Sequence, residues 1–210
     1  MVFLENVANL IKHDEGKTFE IICKTLEELK YHITFKIMNA KEYGNLPQQR
    51  NRIYIVAFRN KKHLNKFSFP SNVPLTQTAF DLLDKEKQDD KYYMDGPRMW
   101  DRMMEFMDDR KRVYRFTDWG LSRGMEGICP TLLAAMGSRF ERIPFFYDDY
   151  SVRLITPREA ARIQGFPEEY ILPKENEKQV YKQIGNSVAV PVVSRIVENI
   201  LKALPEKMGE

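Results

Sequence analysis

Three stretches of this chain carry side chains whose types and spacing could do chemistry. The first is Glu5-Asn6-Val7, directly after the apolar tripeptide Val2-Phe3-Leu4. Such a tripeptide reads as a strand, and a carboxylate at its end lies where open α/β sheets place their ligands. The second is Pro47-Gln48-Gln49-Arg50-Asn51-Arg52, which leads straight into the apolar run from Ile53 to Phe58. Alternate side chains of an extended segment share a face, so Gln48, Arg50 and Arg52 point one way and Gln49 and Asn51 the other. Two guanidiniums and an amide on one face can grip a phosphate or an acceptor oxygen on a base. The third is Gln183-Ile184-Gly185-Asn186-Ser187-Val188, read as a polar turn that opens a helix. Its N–H groups and the Ser187 hydroxyl would meet a carboxylate or phosphate at the positive helix end. Each stretch also has a plain structural reading: a surface carboxylate, a basic strand edge, and a simple N-cap.

The elements that must hold these residues can be read from periodicity. Phe19, Ile22, Leu26 and Leu29 recur at helical spacing, predicting an amphipathic helix. Ile33, Phe35 and Ile37 alternate as in a strand, and Ile53 to Phe58 suits a buried strand. Two strands and a helix make only part of a doubly wound α/β sheet. Periodicity is lost from residue 59 to about 80, where Pro70 and Pro74 mark a boundary. Further on, Met99, Met103, Phe106 and Met107 fit one helix face. Thr156-Pro157-Arg158-Glu159 combines an N-cap, a first-position proline and an N3 glutamate, and the helix it starts should stop at Gly165. A last helix presents Val193, Ile196, Val197, Ile200, Leu201 and Leu204. Periodicity thus makes the first 60 or so residues part of an α/β sheet, followed by a boundary and a second, mixed region.

Composition sets bounds. A chain of 210 residues with 43% apolar residues folds around a sizeable core. The net charge of +3 conceals a local excess: between Lys41 and Lys66, Lys41, Arg50, Arg52, Arg59, Lys61, Lys62 and Lys66 face the single acid Glu42. Cys23 and Cys129 cannot build a disulfide framework, so a reducing compartment is expected. His13, His32 and His63 are scattered, which argues against a zinc hydrolase, and no metal is expected. The first residues lack the basic start of a signal peptide, and no apolar run approaches the roughly 18 residues of a membrane span. A soluble protein with no membrane partner is expected.

Taken in order, Glu5-Asn6-Val7, Gln48-x-Arg50-x-Arg52, Thr131-Leu132, Arg158-Glu159-x-x-Arg162-x-x-Gly165-Phe166-Pro167 and Gly185-Asn186-Ser187-Val188 resemble the motifs of the C-terminal half of the DNA cytosine-5 methyltransferases. The resemblance implies an α/β fold, the C-terminal part of a Rossmann-like methyltransferase domain plus a smaller, mixed target-recognition domain: residues 1–70 as part of the catalytic domain, 71–167 as the recognition domain and its scaffold, and 168–210 as a return to the catalytic domain. In that family a cysteine thiolate attacks C6 of a flipped-out cytosine, and C5 takes the methyl of S-adenosylmethionine. By this likeness Glu5 holds N3 of the ring, with its pKa raised by burial, and Arg52 bonds O2. Arg50 and Gln48 brace the site, Gln48 on the DNA side, while Asn186 and Ser187 lie beside the methionine end of the cofactor. Thr131 carries the threonine-leucine mark of the recognition domain, and Arg115, Arg123 and Arg139 are candidates for reading DNA. The stretch from Arg153 to Pro167 is a scaffold, with Arg162 structural.

The chain also departs from the family pattern. It has no Phe-x-Gly-x-Gly cofactor loop and no Pro-Cys nucleophile motif, and neither Cys23 nor Cys129 is a credible nucleophile. The expectation is a fragment or subunit of a bacterial-type, cytoplasmic and nucleoid-associated methyltransferase, inactive alone. Its partners would be double-stranded DNA and a complementary N-terminal half. Two alternatives remain: a non-catalytic DNA-binding module or remnant, and a methyltransferase acting on transfer RNA.

Overall fold

The computed structural model describes residues 1–94, 106–107 and 109–205. In chain order its main elements are β1 (Val2–Val7), α1 (Lys17–Glu28), β2 (His32–Asn39), α2 (Ala40–Tyr43), β3 (Gln48–Gln49), β4 (Asn51–Phe58) and α3 (Lys61–Lys66). There follow β5 (Tyr114–Thr117), β6 (Gly120–Arg123), β7 (Cys129–Pro130), β8 (Phe145–Tyr147), β9 (Val152–Leu154), α4 (Pro157–Gln164), α5 (Glu177–Asn186) and α6 (Val190–Ala203). Short 3-10 turns connect them.

Strands β1, β4 and β2 form an antiparallel sheet in that order. Strand β4 takes the centre because Ile53 to Phe58 are all buried, as a strand covered on both faces requires. On one face Met38, Tyr54, Val56 and Phe58 pack with Val192, Ile196 and Ile200 of α6. On the other, α1 lies over β2, the Phe19 ring meeting Phe35 edge-on at 4.8 Å between centroids. This cover is partial: Leu29, Phe35 and Ile37 remain exposed. A second core gathers β5, β8 and β9 with α4 and α5, around Tyr114, Leu132, Phe145, Leu154, Ile163 and Ile184. Its sheet has the order β6-β5-β8-β9. The two cores meet where β3 pairs in parallel with β7, Gln48 opposite Cys129 and Gln49 opposite Pro130. The first core resumes at Ala189.

Several local expectations hold. Thr156 Oγ1 accepts from Glu159 N–H, Glu159 Oε2 accepts from Thr156 N–H, and Gly165 ends α4 at φ +88°. Others need correction. Gln183 to Asn186 are not a turn but the last residues of α5, and α6 starts at Val190, so Ser187 sits at a helix C-terminus. Packing decides this: a Cβ on Gly185 would lie 2.2 Å from the Leu133 carbonyl carbon, so α5 can pass flush against that backbone. The buried stripe of α6 is Val192, Ile196, Ile200 and Ala203, flanked by Val193 and Leu204, while Val197 and Leu201 face outward. The helix has two adjacent apolar ridges and the sheet covers only one. Glu5 does not end its strand, because pairing continues to Val7 opposite Arg52. Met99 and Met103 lie outside the described residues; Met107 is buried and Phe106 exposed. Among the described residues no helix is long and apolar enough to cross a membrane.

Candidate functional site

The antiparallel register sets Glu5 opposite Tyr54 and Val7 opposite Arg52. Glu5 and Arg52 are thus diagonal neighbours on one face, a spacing that long side chains bridge. Arg52 Nε lies 3.1 Å from Glu5 Oε1, both side chains mostly covered. The oxygen is nevertheless left without an aligned hydrogen bond, and Arg52 Nη1 donates to the Asn51 carbonyl at 2.9 Å. Burial raises the Glu5 pKa, outweighing the opposing pull of Arg52 and Arg50. A carboxyl held in this way takes up a proton more readily than an exposed one, and when protonated it can serve as a hydrogen-bond donor, with a fixed guanidinium beside it.

Gln48 and Arg50 do share a face, but it points into the protein. Gln48 is fully buried, its amide donating to Ile163 O at 3.1 Å and Gln164 Oε1 at 2.8 Å, while its oxygen accepts from Leu132 N–H at 3.3 Å. Arg50 is 2% exposed and donates to the carbonyls of Leu132 (2.9 Å), Gly185 (3.3 Å) and Ser187 (2.5 Å). Burial lowers its pKa to about 10, with Arg52 adding to the effect. The expected open, anion-gripping surface is therefore a buried bracket, because its donors are spent inside the protein on the carbonyls of Leu132, Ile163, Gly185 and Ser187 and on Gln164 Oε1. Sequence reasoning missed Gln164, which closes the bracket by donating to Ser187 O at 3.0 Å. The signal available was a glutamine one residue before the helix-ending Gly165.

The basic stretch from Lys41 to Lys66 does not form one surface. Strand β4 carries Arg59 away from Arg52 by seven residues, about 23 Å in an extended strand. Arg59, Lys61 and Lys62 are exposed at that far end, whereas Arg50 and Arg52 are covered.

The remaining candidates fall into two groups. Thr131 donates its hydroxyl to Gln49 O and accepts from Arg115 Nη1 on its carbonyl at 2.6 Å. Arg115, Arg123, Gln49 and Thr131 line one cleft of about 320 Å³ between the β5–β6 hairpin and β7. Gln49 Oε1 and Arg115 Nε are buried in it without protein partners, and burial lowers the Arg115 pKa. Arg139 lies apart, 3.2 Å from Asp118. Asn186 is exposed at the carbonyl end of α5, and the Ser187 hydroxyl donates to Ile184 O at 2.7 Å. Arg162 is held by Asp84 at 2.7 Å and Glu168 at 2.6 Å. Cys129 is fully buried and its thiol pushed up to about 12, while burial also raises Cys23. Neither forms a thiolate readily. Among the described residues no three His, Cys, Asp or Glu side chains gather as metal ligands.

The family model for C-5 cytosine-specific DNA methylases matches residues 1–202. The type II methyltransferase M.Bsp6I of Bacillus sp. strain RFL6 is 42% identical over 207 residues, covering 97% of this chain and 66% of that protein. M.SsoII of Shigella sonnei is 39% identical over 207 residues, with 96% of this chain and 52% of the relative covered. The chain therefore spans about half to two thirds of the length of these curated relatives. The solved structure of the Entamoeba histolytica methyltransferase EhMeth shares the fold at TM-score 0.69 and 20% identity, over 97% of this chain and 63% of that one. Dnmt2 of S. pombe shares it at TM-score 0.64 and 20% identity, over 95% and 65% respectively. The family's methyl donor is S-adenosylmethionine. With the Glu-Asn-Val and Gln-x-Arg-x-Arg strands side by side and the family match running from the first residue to 202, this chain belongs to the C-5 cytosine-specific DNA methylases.

Proposed function

We propose that this chain supplies the cytosine-gripping pocket and the target-recognition region of a DNA cytosine-5 methyltransferase, and that a complementary N-terminal polypeptide supplies the nucleophile and most of the cofactor site. The Glu5–Arg52 pair carries this reading, because a raised carboxyl beside a covered guanidinium is more than phosphate binding requires. As a nucleophile adds to C6 of a flipped cytosine, electron density moves onto the ring. Glu5 gives a proton or hydrogen bond to N3, and Arg52 donates to O2. Arg50, Gln48 and Gln164 hold these strands in place by locking their backbone to Leu132 and Ser187. S-adenosylmethionine supplies the methyl group when bound. The carbonyl end of α5 suits the ammonium of its methionine end, and the exposed Asn186 amide can meet its carboxylate. Ser187 shapes this end through its bond to Ile184 rather than by offering a helix N-terminus.

The cleft lined by Arg115, Arg123 and Thr131 faces the duplex in this reading, with Arg139 nearer the hairpin tip. Support for a complementary polypeptide comes from the first sheet. Among the described residues strand β1 is an edge strand with one side unpaired and with Leu4 and Val7 exposed, a surface that folded proteins normally cover. The division into residues 1–70, 71–167 and 168–210, and a cytoplasmic, nucleoid-associated location, belong to the same proposal. The test mixes the chain with a polypeptide carrying the Phe-x-Gly-x-Gly and Pro-Cys motifs of a relative and with tritiated S-adenosylmethionine. Label on C5 of cytosine in duplex DNA is the expected result. No label on any cytosine-containing duplex sinks the reading.

A further inference from the structure

The tip of the β5–β6 hairpin carries a side chain that the proposed function leaves unused. Trp119 is 98% exposed. The hairpin beneath it is firmly held: Phe116 and Leu121 pack on the second core, and the Phe116 ring lies 5.1 Å from that of Phe145. At its base Gly124 is so enclosed that a Cβ would sit 2.6 Å from Val113 O and 2.8 Å from Ile128 O. The result is a rigid ribbon with an uncovered aromatic end. The turn itself does not require tryptophan. Thr117 pairs with Gly120, the Thr117 hydroxyl donates to Gly120 O at 2.8 Å, and Gly120 alone in the turn takes a positive φ, of 118°. The tip residue is thus free of structural duty, and an exposed indole there is a large apolar surface awaiting a partner.

The surroundings say what kind of partner. Residues 109–126 carry Arg110, Lys111, Arg112, Arg115 and Arg123 against Asp109, Asp118 and Glu126, with Arg112 paired to Asp109 at 2.8 Å and Lys111 to Glu126 at 3.5 Å, which leaves an excess of two positive charges. Asp118 is already neutralised by Arg139 at 3.2 Å and by Arg142. An apolar tip in a cationic setting suits a partner with flat apolar surfaces inside a negatively charged envelope, which is the chemistry of a nucleic acid. A two-stranded ribbon fits the major groove of duplex DNA, where aromatic and apolar side chains contact base edges or enter base steps.

We propose that Trp119 is a specificity-determining residue: the β5–β6 hairpin enters the major groove tip first, and the indole packs on base edges within the recognition sequence. This rests on the DNA-modifying role proposed above and adds the side chain that leads the reading element. Exposure of the tip means that Trp119→Ala leaves folding intact, so its Tm should match the wild type. With Trp100→Phe as background, Trp119 is the chain's one tryptophan. Its quenching by acrylamide should fall several-fold when a duplex selected by the wild-type chain from a randomised pool is added at saturation, as judged by anisotropy of a fluorescein on the DNA. Trp119→Ala should weaken duplex binding roughly tenfold or more, with the slope of log affinity against log salt unchanged, because that slope counts phosphates and not base contacts. Trp119→Phe should recover most of the loss. An indole that stays fully quenchable in the bound state, an Ala variant that binds as the wild type does, or protection of the indole by the complementary polypeptide without DNA would each overturn the inference. Failure of the wild-type chain, with the complementary polypeptide present, to bind any duplex would instead refute the DNA-modifying role itself, and the inference with it.

Discussion

At the scale of single residues, the Glu5–Arg52 pair sets what the proposed cytosine site can do. A covered carboxyl with a raised pKa and a guanidinium 3.1 Å away are suited to a ring nitrogen and a neighbouring carbonyl oxygen. Replacing Arg52 by Ala in the reconstituted enzyme should lower the single-turnover methylation rate by about 10²–10³-fold, the usual cost of losing one donor aimed at developing charge. Arg52→Lys should recover little, because a point charge on a flexible stem does not reproduce a planar donor. The raised pKa of Glu5 also has a sign for stability. The folded chain binds this proton more tightly than the unfolded chain, so the associated stability is complete below the ordinary carboxylate range and lost as pH rises through the raised value. Glu5→Gln should therefore match the wild type in Tm at low pH and exceed it at neutral pH, while losing methylation activity. Thermal melts across that range check the sign.

At the scale of elements, α4 is fastened by charge as well as by its caps. Arg153, fully buried, donates to both oxygens of Glu159 (2.7 and 2.8 Å) and to Asp148 at 2.9 Å, with its guanidinium 4.5 Å from the Phe146 ring centre. Glu159 is also the N3 partner of Thr156, so one carboxylate closes the helix cap and the ion pair together. Thr156→Ala should cost about 1 kcal/mol, the loss of a cap. Glu159→Ala should cost about 3–5 kcal/mol, because it leaves a guanidinium buried without its main counter-charge. Denaturant unfolding of both variants tests the ranking. Gly185→Ala belongs at this scale too. A methyl at 2.2 Å from the Leu133 carbonyl carbon forces α5 away from that backbone, and should weaken methylation along with stability, since the same helix end carries Asn186.

At the scale of the whole molecule, two cores are joined by one buried bracket. Arg50 leaves the strand pair of the first core and holds carbonyls at Leu132, Gly185 and Ser187. Gln48 and Gln164 add the cross-links to α4 and to Leu132. Arg50→Ala strips donors from several buried carbonyls at once, a loss of about 3 kcal/mol or more. It should split a single thermal transition into two, one for each core, which calorimetry would resolve. A single transition at lower temperature would show that hydrophobic contact, rather than the bracket, couples the cores.

Much of the local structure was legible in sequence because it is set by neighbours along the chain. The cap at Thr156, the stop at Gly165, the central strand at Ile53 to Phe58 and the shared face of Gln48 and Arg50 all follow from short-range rules of spacing and backbone conformation. The motif order was equally plain, and it points to the same family as the match over residues 1–202. What the sequence could not tell is which side of a pattern faces inward. The same alternation permits an open cationic face or a buried bracket, and only the arrival of Leu132, Ile163 and Ser187 from distant parts of the chain decides for the bracket. Gly185-Asn186-Ser187 is a motif in either case, but whether it opens or closes a helix depends on how close Leu133 comes. The dense charges between residues 110 and 125 and the turn at Trp119 are visible as letters. That the hairpin stands clear of the core with its indole uncovered is a property of packing, fixed by contacts among residues far apart in sequence.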